Sequence, residues 1–306
     1  MTEIRVMTDF EEDPVRFIEE TVKAYILQSP ENCLKDIDGS PIFDEPLVGF
    51  VDGDDPLFLK YKEKGVIGNF FLTPREALEK HLKEETNMKE PQINHVSVIS
   101  WVLPFSKGIR TSNRAMTDGP SLKWNHGRWH GEALNESLIS HVISLLRERG
   151  YRAVAPGKAS FFKTVNLDNG LASVWSERHM AYAAGLGTFS LTDALITPKG
   201  LAMRCGSVVT DLRLPSSPRS YPSHTANCWF LEQGTCGLCA VRCPAGAITA
   251  QGHDKIKCRE YVIKGQAHWL KKEGYIGRYA GCGLCMTGVP CEAKIPAKIP
   301  KRFISP

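Results

Sequence analysis

The sequence lacks most of the features that place a chain in a special class. No uninterrupted apolar run approaches the roughly 20 residues of a transmembrane helix, so no membrane span is expected. The first residues carry Glu3, Arg5 and Asp9, and Glu11 and Glu12 follow. That is neither a basic and apolar export signal nor a twin-arginine leader, so a cytoplasmic location is expected. Net charge is small, +4 over 306 residues. Nucleic-acid binding would then need a local basic patch interleaved with aromatics, and only a short basic end at 294–302 stands out. There is also no repeat of fixed period and no low-complexity tract.

What is present is an ordinary globular composition, 42% apolar and 24% charged, able to bury a sizeable core. One large unit with a small appendage is the natural organisation. The periodicity over 11–28 predicts an amphipathic helix, with Val15, Ile18, Val22, Tyr25 and Ile26 on one face. Residues 41–58, rich in Pro, Gly and Asp, predict an ordered loop, and 73–84 returns to helical spacing. The apolar, β-branched stretch 95–103 predicts a core strand that stops at Pro104. Residues 106–130 concentrate Arg110, Asn113, Arg114, Trp124, His126, Arg128, Trp129 and His130, which predicts a long functional loop. A helix over 131–149 with a stop at Gly150, a strand over 151–155, a helix over 177–186, and strands over 193–197 and 202–210 follow. The Pro- and Ser-rich stretch 214–223 reads as a linker and places a boundary.

Ten cysteines stand against this plain background, and eight of them fall between Cys228 and Cys291. In a reducing compartment that clustering points to metal rather than to disulfides. The first group is Cys228-x7-Cys236-x2-Cys239-x3-Cys243-Pro244, and the second is Cys258-x23-Cys282-x2-Cys285-x5-Cys291. In two-cluster ferredoxins the C-x2-C turn grips one cube and the cysteine before proline crosses to the other. The same rule assigns Cys228, Cys236, Cys239 and Cys291 to one [4Fe–4S] cluster, and Cys243, Cys258, Cys282 and Cys285 to a second. Two departures touch the outermost ligands: Gln233 stands where the usual first cysteine would be, and Pro290 precedes Cys291 instead of following it. The rival is a pair of zinc sites. Against it, 42 residues separate Cys239 from Cys282, where a zinc ribbon spans about 15–20. Cys33 and Cys205 lie outside both groups and read as small buried hydrophobes.

Residues 176–214, with their E-R, A-G-L-G, L-I-T-P and G-S-V-V-T-D steps followed by the paired cysteine groups, resemble the epoxyqueuosine reductase and reductive dehalogenase superfamily. The likeness runs from about residue 95 to the end. It implies an α+β protein: a nitroreductase-like α/β core that binds cobalamin, followed by a small ferredoxin-like domain with two clusters that reduces it. The corresponding division is an extension over 1–90, a core over 91–220 and a cluster domain over 221–306. One departure is specific. The family holds an acidic residue just before the E-R step, as proton donor, and here 170–175 (GLASVW) carries none. Epoxyqueuosine is therefore not the expected substrate. Asp168, Tyr182, His179 and Arg204 are the candidate replacements. Tyr182 as proton donor with Arg204 beside it would follow the dehalogenase pattern, and Trp175, Gly185 and Gly187 would complete a cofactor pocket facing the cluster that contains Cys291. His126 and His130, flanked by Trp124 and Trp129, are further candidates to approach that site.

The expectation is an iron–sulfur oxidoreductase that takes single electrons from a donor such as ferredoxin or flavodoxin and passes them, at low potential, to a substrate or corrinoid in the α/β core. The alternative is a protein that delivers electrons to, or reductively activates, another protein and has no substrate of its own. A third reading makes the clusters structural only. A deep pocket beside a cluster would favour the enzyme, and a filled core would favour delivery.

Overall fold

Residues 97–104 (SVISWVLP) have side chains to bury on both faces of a strand, so this strand needs cover on both sides. The computed structural model, which describes residues 8–85, 88–167 and 170–297, supplies that cover. In chain order the described residues form α1 (Pro14–Gln28), β1 (Leu47–Asp52), α2 (Pro56–Tyr61), α3 (Pro74–Glu85), β2 (Ser97–Pro104), α4 (Lys107–Arg114), α5 (Leu122–Glu148) and β3 (Ala153–Val154). Strands β4 (Thr164–Leu167) and β5 (Gly170–Ser173), helix α6 (Glu177–Ala183), the short pair β6 (Thr188–Phe189) and β7 (Leu195–Ile196), and β8 (Met203–Thr210) come next. The last quarter is made of short pieces: α7 (Trp229–Gln233), α8 (Leu238–Val241), β9 (Ile248–Thr249), β10 (Gly252–His253), α9 (Lys255–Glu260) and single turns.

The main sheet is antiparallel with strand order β1-β2-β8-β3. Ile99, Trp101 and Leu103 of β2 and Val208 of β8 face a core built with α1, α4 and α5. Val98 and Val102 of β2 and Met203 and Val209 of β8 face a second core, built with α2, α3 and α6. All eight residues of β2 are buried, as a central strand between two helical layers requires. Mixed helix and strand in three layers is thus the architecture, and no helix among the described residues is long and apolar enough to cross a membrane.

Several segments differ from the sequence expectation. Residues 106–130 are no loop: α4 fills 107–114, and α5 begins at Leu122 behind Ser121, whose side-chain oxygen accepts from the Trp124 amide. Its polar residues are there for the chain's last quarter, as described below. The 41–58 stretch contains the edge strand β1, and Gly49 sits in it because a Cβ there would lie 2.6 Å from the Ala184 carbonyl oxygen. The helix expected to 186 ends at Ala183, and the strands expected at 151–155 and 193–197 shrink to two residues each. The 214–223 stretch is docked rather than loose. The amide of Ser217 donates to the Phe50 carbonyl, and the side chains of Ser217 and Ser216 accept from the amides of Phe50 and Asp52. The otherwise free edge of β1 is covered in this way.

The last quarter is held against the three-layer body by polar side chains of α4 and α5. Asn125 donates to the carbonyls of Ile276 and Ala280 and accepts from the Ile276 amide. Asn113 donates to Thr287, and Arg114 pairs with buried Glu292 at 2.7 Å. Cys291 and Glu292 in turn offer their carbonyls to the amides of Leu201 and Ala202.

Candidate functional site

Both C-x2-C steps read Cys-Gly-Leu-Cys, at 236–239 and 282–285. Each is a tight left-handed turn: φ is +88° at Cys236 and +75° at Gly237, and +68° at Gly283. Glycine is required at the last of these, since its Cβ would fall 2.0 Å from the Trp124 indole. Such turns direct successive backbone amides into one concavity, where negative sulfur is stabilised. Cys236 has the same backbone without being glycine, a strained position of the kind that marks functional turns.

Around these turns the eight thiols gather into two sets. Cys239 feels Cys228 and Cys236 as its charged neighbours, and Cys291, arriving from the tail, feels Cys239, Cys228 and Cys236. Cys282 feels Cys243 and Cys258. Cys285 feels Cys282 most strongly, then Cys239, Cys258 and Cys243, so it lies between the sets. Burial is the main cause in every case, pushing the thiol of Cys239 up to about 12 and that of Cys282 to about 11 and raising Cys285 and Cys291 as well. The Ala247 amide donates to Cys243 Sγ at 3.3 Å. A cavity with an empty volume of about 430 Å³, its mouth included, is lined by Cys228, Cys236, Cys239, Cys285 and Cys291 with Ile196, Leu201 and Val289.

The other six expected site residues are not brought together. Odd positions of β8 (Met203, Cys205, Val209) face the core on the α6 side. Arg204 points the other way, to α5, where it donates to the Arg128 carbonyl and lies 3.6 Å from Glu132. Tyr182 and His179, on α6, are therefore across the sheet from Arg204, and the proposed proton-donor pair does not exist. Burial lowers Arg204 to about 10. His179 is enclosed by Tyr61, Phe71 and Phe189 and accepts or donates at Ser176 Oγ (2.8 Å); burial drops it to about 3, a neutral ring. Tyr182 packs on Phe189.

Nor does the cofactor trio line an opening. Trp175 is buried, stacked parallel to Phe71, with its indole N–H donating to Ser207. A Cβ at Gly185 would lie 2.4 Å from the Pro218 carbonyl oxygen, and one at Gly187 would lie 2.6 Å from that of Ile196. Protein backbone, not a flat macrocycle, is what these glycines admit. The residues assigned to a corrinoid do not fit one. Asp168 lies outside the described residues. His126 and His130 sit on α5, the helix to which Arg204 is tied, and Cys33 and Cys205 are half-buried, Cys33 with its thiol on the Gly39 carbonyl.

Sequence reasoning singled out the E-R step without a role, and the structure gives each residue one. Glu177 accepts from Ser207 at 2.5 Å, and burial raises its carboxyl to about 7. Arg178 donates to the carbonyl of Asp193, whose carboxylate is 3.2 Å from His253 and 3.6 Å from Lys255. The step therefore ties α6 to the β9–β10 pair and the start of α9, next to Cys258.

No protein-family model matches the chain, and no curated protein matches it. Among solved structures it is similar to the epoxyqueuosine reductase of Bacillus subtilis, at 16% identity over 82% of this chain and 62% of that one, with a TM-score of 0.37. A selenomethionine-labelled epoxyqueuosine reductase matches at 16% identity over 82% of this chain and 65% of that one, also at 0.37. The chain thus spans less than two thirds of the length of these structures.

Proposed function

We propose that the chain is an iron–sulfur oxidoreductase that holds two [4Fe–4S] clusters in residues 221–306 and delivers single electrons to an acceptor outside its packed α/β body. The observation that carries this reading is the gathering of eight thiols around twin Cys-Gly-Leu-Cys turns, with Cys228, Cys236, Cys239 and Cys291 near one another, Cys243, Cys258 and Cys282 near one another, and Cys285 between them. Buried thiols with such high proton affinity remain neutral unless a cation replaces the proton, and iron meets that requirement. Bound clusters supply reversible one-electron chemistry.

The chain's own residues do the rest. Cys228, Cys236, Cys239 and Cys291 hold one cluster, and Cys243, Cys258, Cys282 and Cys285 hold the other, with Cys285 placed where the two sets meet. Ile196, Leu201 and Val289 keep water from the first set. Amides such as that of Ala247 hold negative charge on sulfur and so set the potential.

Delivery is favoured over a reaction inside the core because the residues expected to wall a pocket are occupied in packing. The surface beside the cysteines supports the same reading. Val241, between Cys239 and Cys243, is 73% exposed, and Lys255, Lys257, Arg259 and Lys264 flank Cys258 in sequence on exposed positions, outnumbering Asp254 and Glu260. An acidic electron-transfer partner fits that surface. A reductase with its own substrate keeps one supporting observation, the buried Glu177 with a carboxyl raised to about 7, which could hold a proton at neutral pH.

Anaerobic isolation with iron, sulfide, cobalt and zinc analysis tests the proposal. About eight iron and eight sulfide per chain are expected. Zinc at two per chain with no visible absorption would overturn it.

A further inference from the structure

Helix α5 presents His126 and His130 one turn apart, and the loop after α1 brings Asp36 up to them. One donor atom from each residue lies within 4.8 Å of the other two. His126 is only 2% exposed, and its Nε2 is 2.7 Å from the carbonyl oxygen of Gly274. A ring nitrogen that close to a carbonyl carries the proton, so Nδ1 of a neutral ring is the bare lone pair. Among the described residues that Nδ1 is buried with no hydrogen-bond partner, and the buried Nε2 of His130 has only the Asp36 carboxylate, Oδ2 at 3.5 Å, beyond good hydrogen-bonding geometry. A buried imidazole nitrogen without a partner, beside a second that is only loosely paired, is costly, whereas a cation held by both rings and the carboxylate would satisfy all three.

We propose that Asp36, His126 and His130 form a site for one divalent transition ion, Zn²⁺ before others. The donor set decides the class: two imidazoles and one carboxylate suit zinc, whereas magnesium and calcium prefer oxygen alone and copper(I) prefers sulfur. The Gly274 carbonyl is the outer partner that a metal-bound histidine requires, since it fixes both the tautomer and the ring orientation. Ligands about 2.0–2.1 Å from a tetrahedral ion stand about 3.4 Å apart, so the three must draw together. Asp36 is exposed and free to make that movement. Three protein ligands leave a fourth position for water on the solvent side.

The ion would join three separate parts of the chain: the loop after α1, the N-terminal half of α5, and the segment at Gly274 that leads to Cys282. The inference stands on these three residues and does not depend on what the cysteines hold.

The test uses the full chain, prepared anaerobically with its iron in place, treated with a chelator and titrated with Zn²⁺ against a competing indicator. One Zn²⁺ per chain beyond the iron is expected. Asp36→Asn and His130→Gln should each weaken it by about tenfold or more, whereas Glu31→Gln nearby should not. X-ray absorption at the zinc edge should show nitrogen and oxygen ligands only. The proposal falls if no Zn²⁺ binds tightly, if both variants bind it as the parent does, or if sulfur appears among the ligands. Both substitutions are at positions with solvent access, and retained iron confirms that they fold; His130→Asn replaces His130→Gln if the latter loses iron.

Discussion

Cys239 and Cys243 are four residues apart on and just after one short helix, yet their thiols belong to different sets. Cys239 has Cys228 and Cys236 as neighbours, and Cys243 stands with Cys258 and Cys282. Replacing either by Ser should therefore remove a different cluster, taking iron from about eight to about four per chain in both single variants. Single variants alone cannot tell which set was emptied, but pairs can. Cys239→Ser with Cys291→Ser strikes one set twice and should leave about four iron, as should Cys243→Ser with Cys258→Ser. Cys239→Ser with Cys243→Ser strikes both sets and should leave close to none. Iron and sulfide analysis, with electron paramagnetic resonance of the reduced protein, reads the outcome. If the Cys239/Cys243 pair retains as much iron as the Cys239/Cys291 pair, the crossed assignment is wrong.

Gly185→Ala and Gly187→Ala should each destabilise the fold by about 1–3 kcal/mol, since the new methyl meets backbone and, at Gly185, φ is +74°. Thermal unfolding checks this, and unchanged stability would reopen those positions as a pocket wall. Glu177 has its folded value raised to about 7 from an ordinary 4.5, so its contribution is fully favourable below pH 4.5 and is lost as pH rises towards 7. Glu177→Gln should flatten the stability curve in that window by up to about 1.4 kcal/mol per pH unit; denaturant midpoints across the range give the difference, and parallel curves would refute the buried acid. His179 works in the opposite sense: lowered to about 3, it costs stability as pH falls below about 6.5, and His179→Phe should remove that acid-side slope. Reversing the charge of Lys255, Lys257 and Arg259 together should slow reduction by an acidic redox partner and remove most of its salt dependence, measured by stopped-flow absorbance; an unaltered rate would place the partner elsewhere.

The elements legible in the sequence were those whose signal is local. The apolar run 95–103, the helical stripe that ends at Gly150, and the amphipathic helix expected over 11–28 follow from period and stop, and the structure has β2, α5 and α1 there. The cysteine groups were legible for the same reason, because thiol spacing around a C-x2-C turn is itself the signal. The edge strand β1 was hidden by its own Gly49 and by the prolines and aspartates around it, and the glycine is there because a distant segment passes close by. Residues 106–130 looked like a loop because their polar side chains are not on a solvent face; Asn113, Asn125 and His126 instead satisfy carbonyls of residues about 150–170 positions later. No window of local periodicity contains that partner.

The expected active site failed for a related reason, and the failure bears on function. Glycine, tryptophan and tyrosine at helical spacing are equally what a cofactor cradle and a helix packed on a sheet require, and only the neighbours distinguish the two. Here the neighbours are Pro218 and Ile196 backbone at the glycines and Phe71 at Trp175, while strand alternation sends Arg204 to the other face of β8. Alternation on a central strand cannot be shifted by one residue without exchanging both cores, so no local adjustment brings Arg204 to Tyr182. With the expected pocket residues taken up in packing, the thiols approach the surface at exposed Val241 and at the exposed positions around Cys258. If the thiols hold clusters as proposed, electrons would leave through that surface, and the acceptor would be a partner rather than a group in the core.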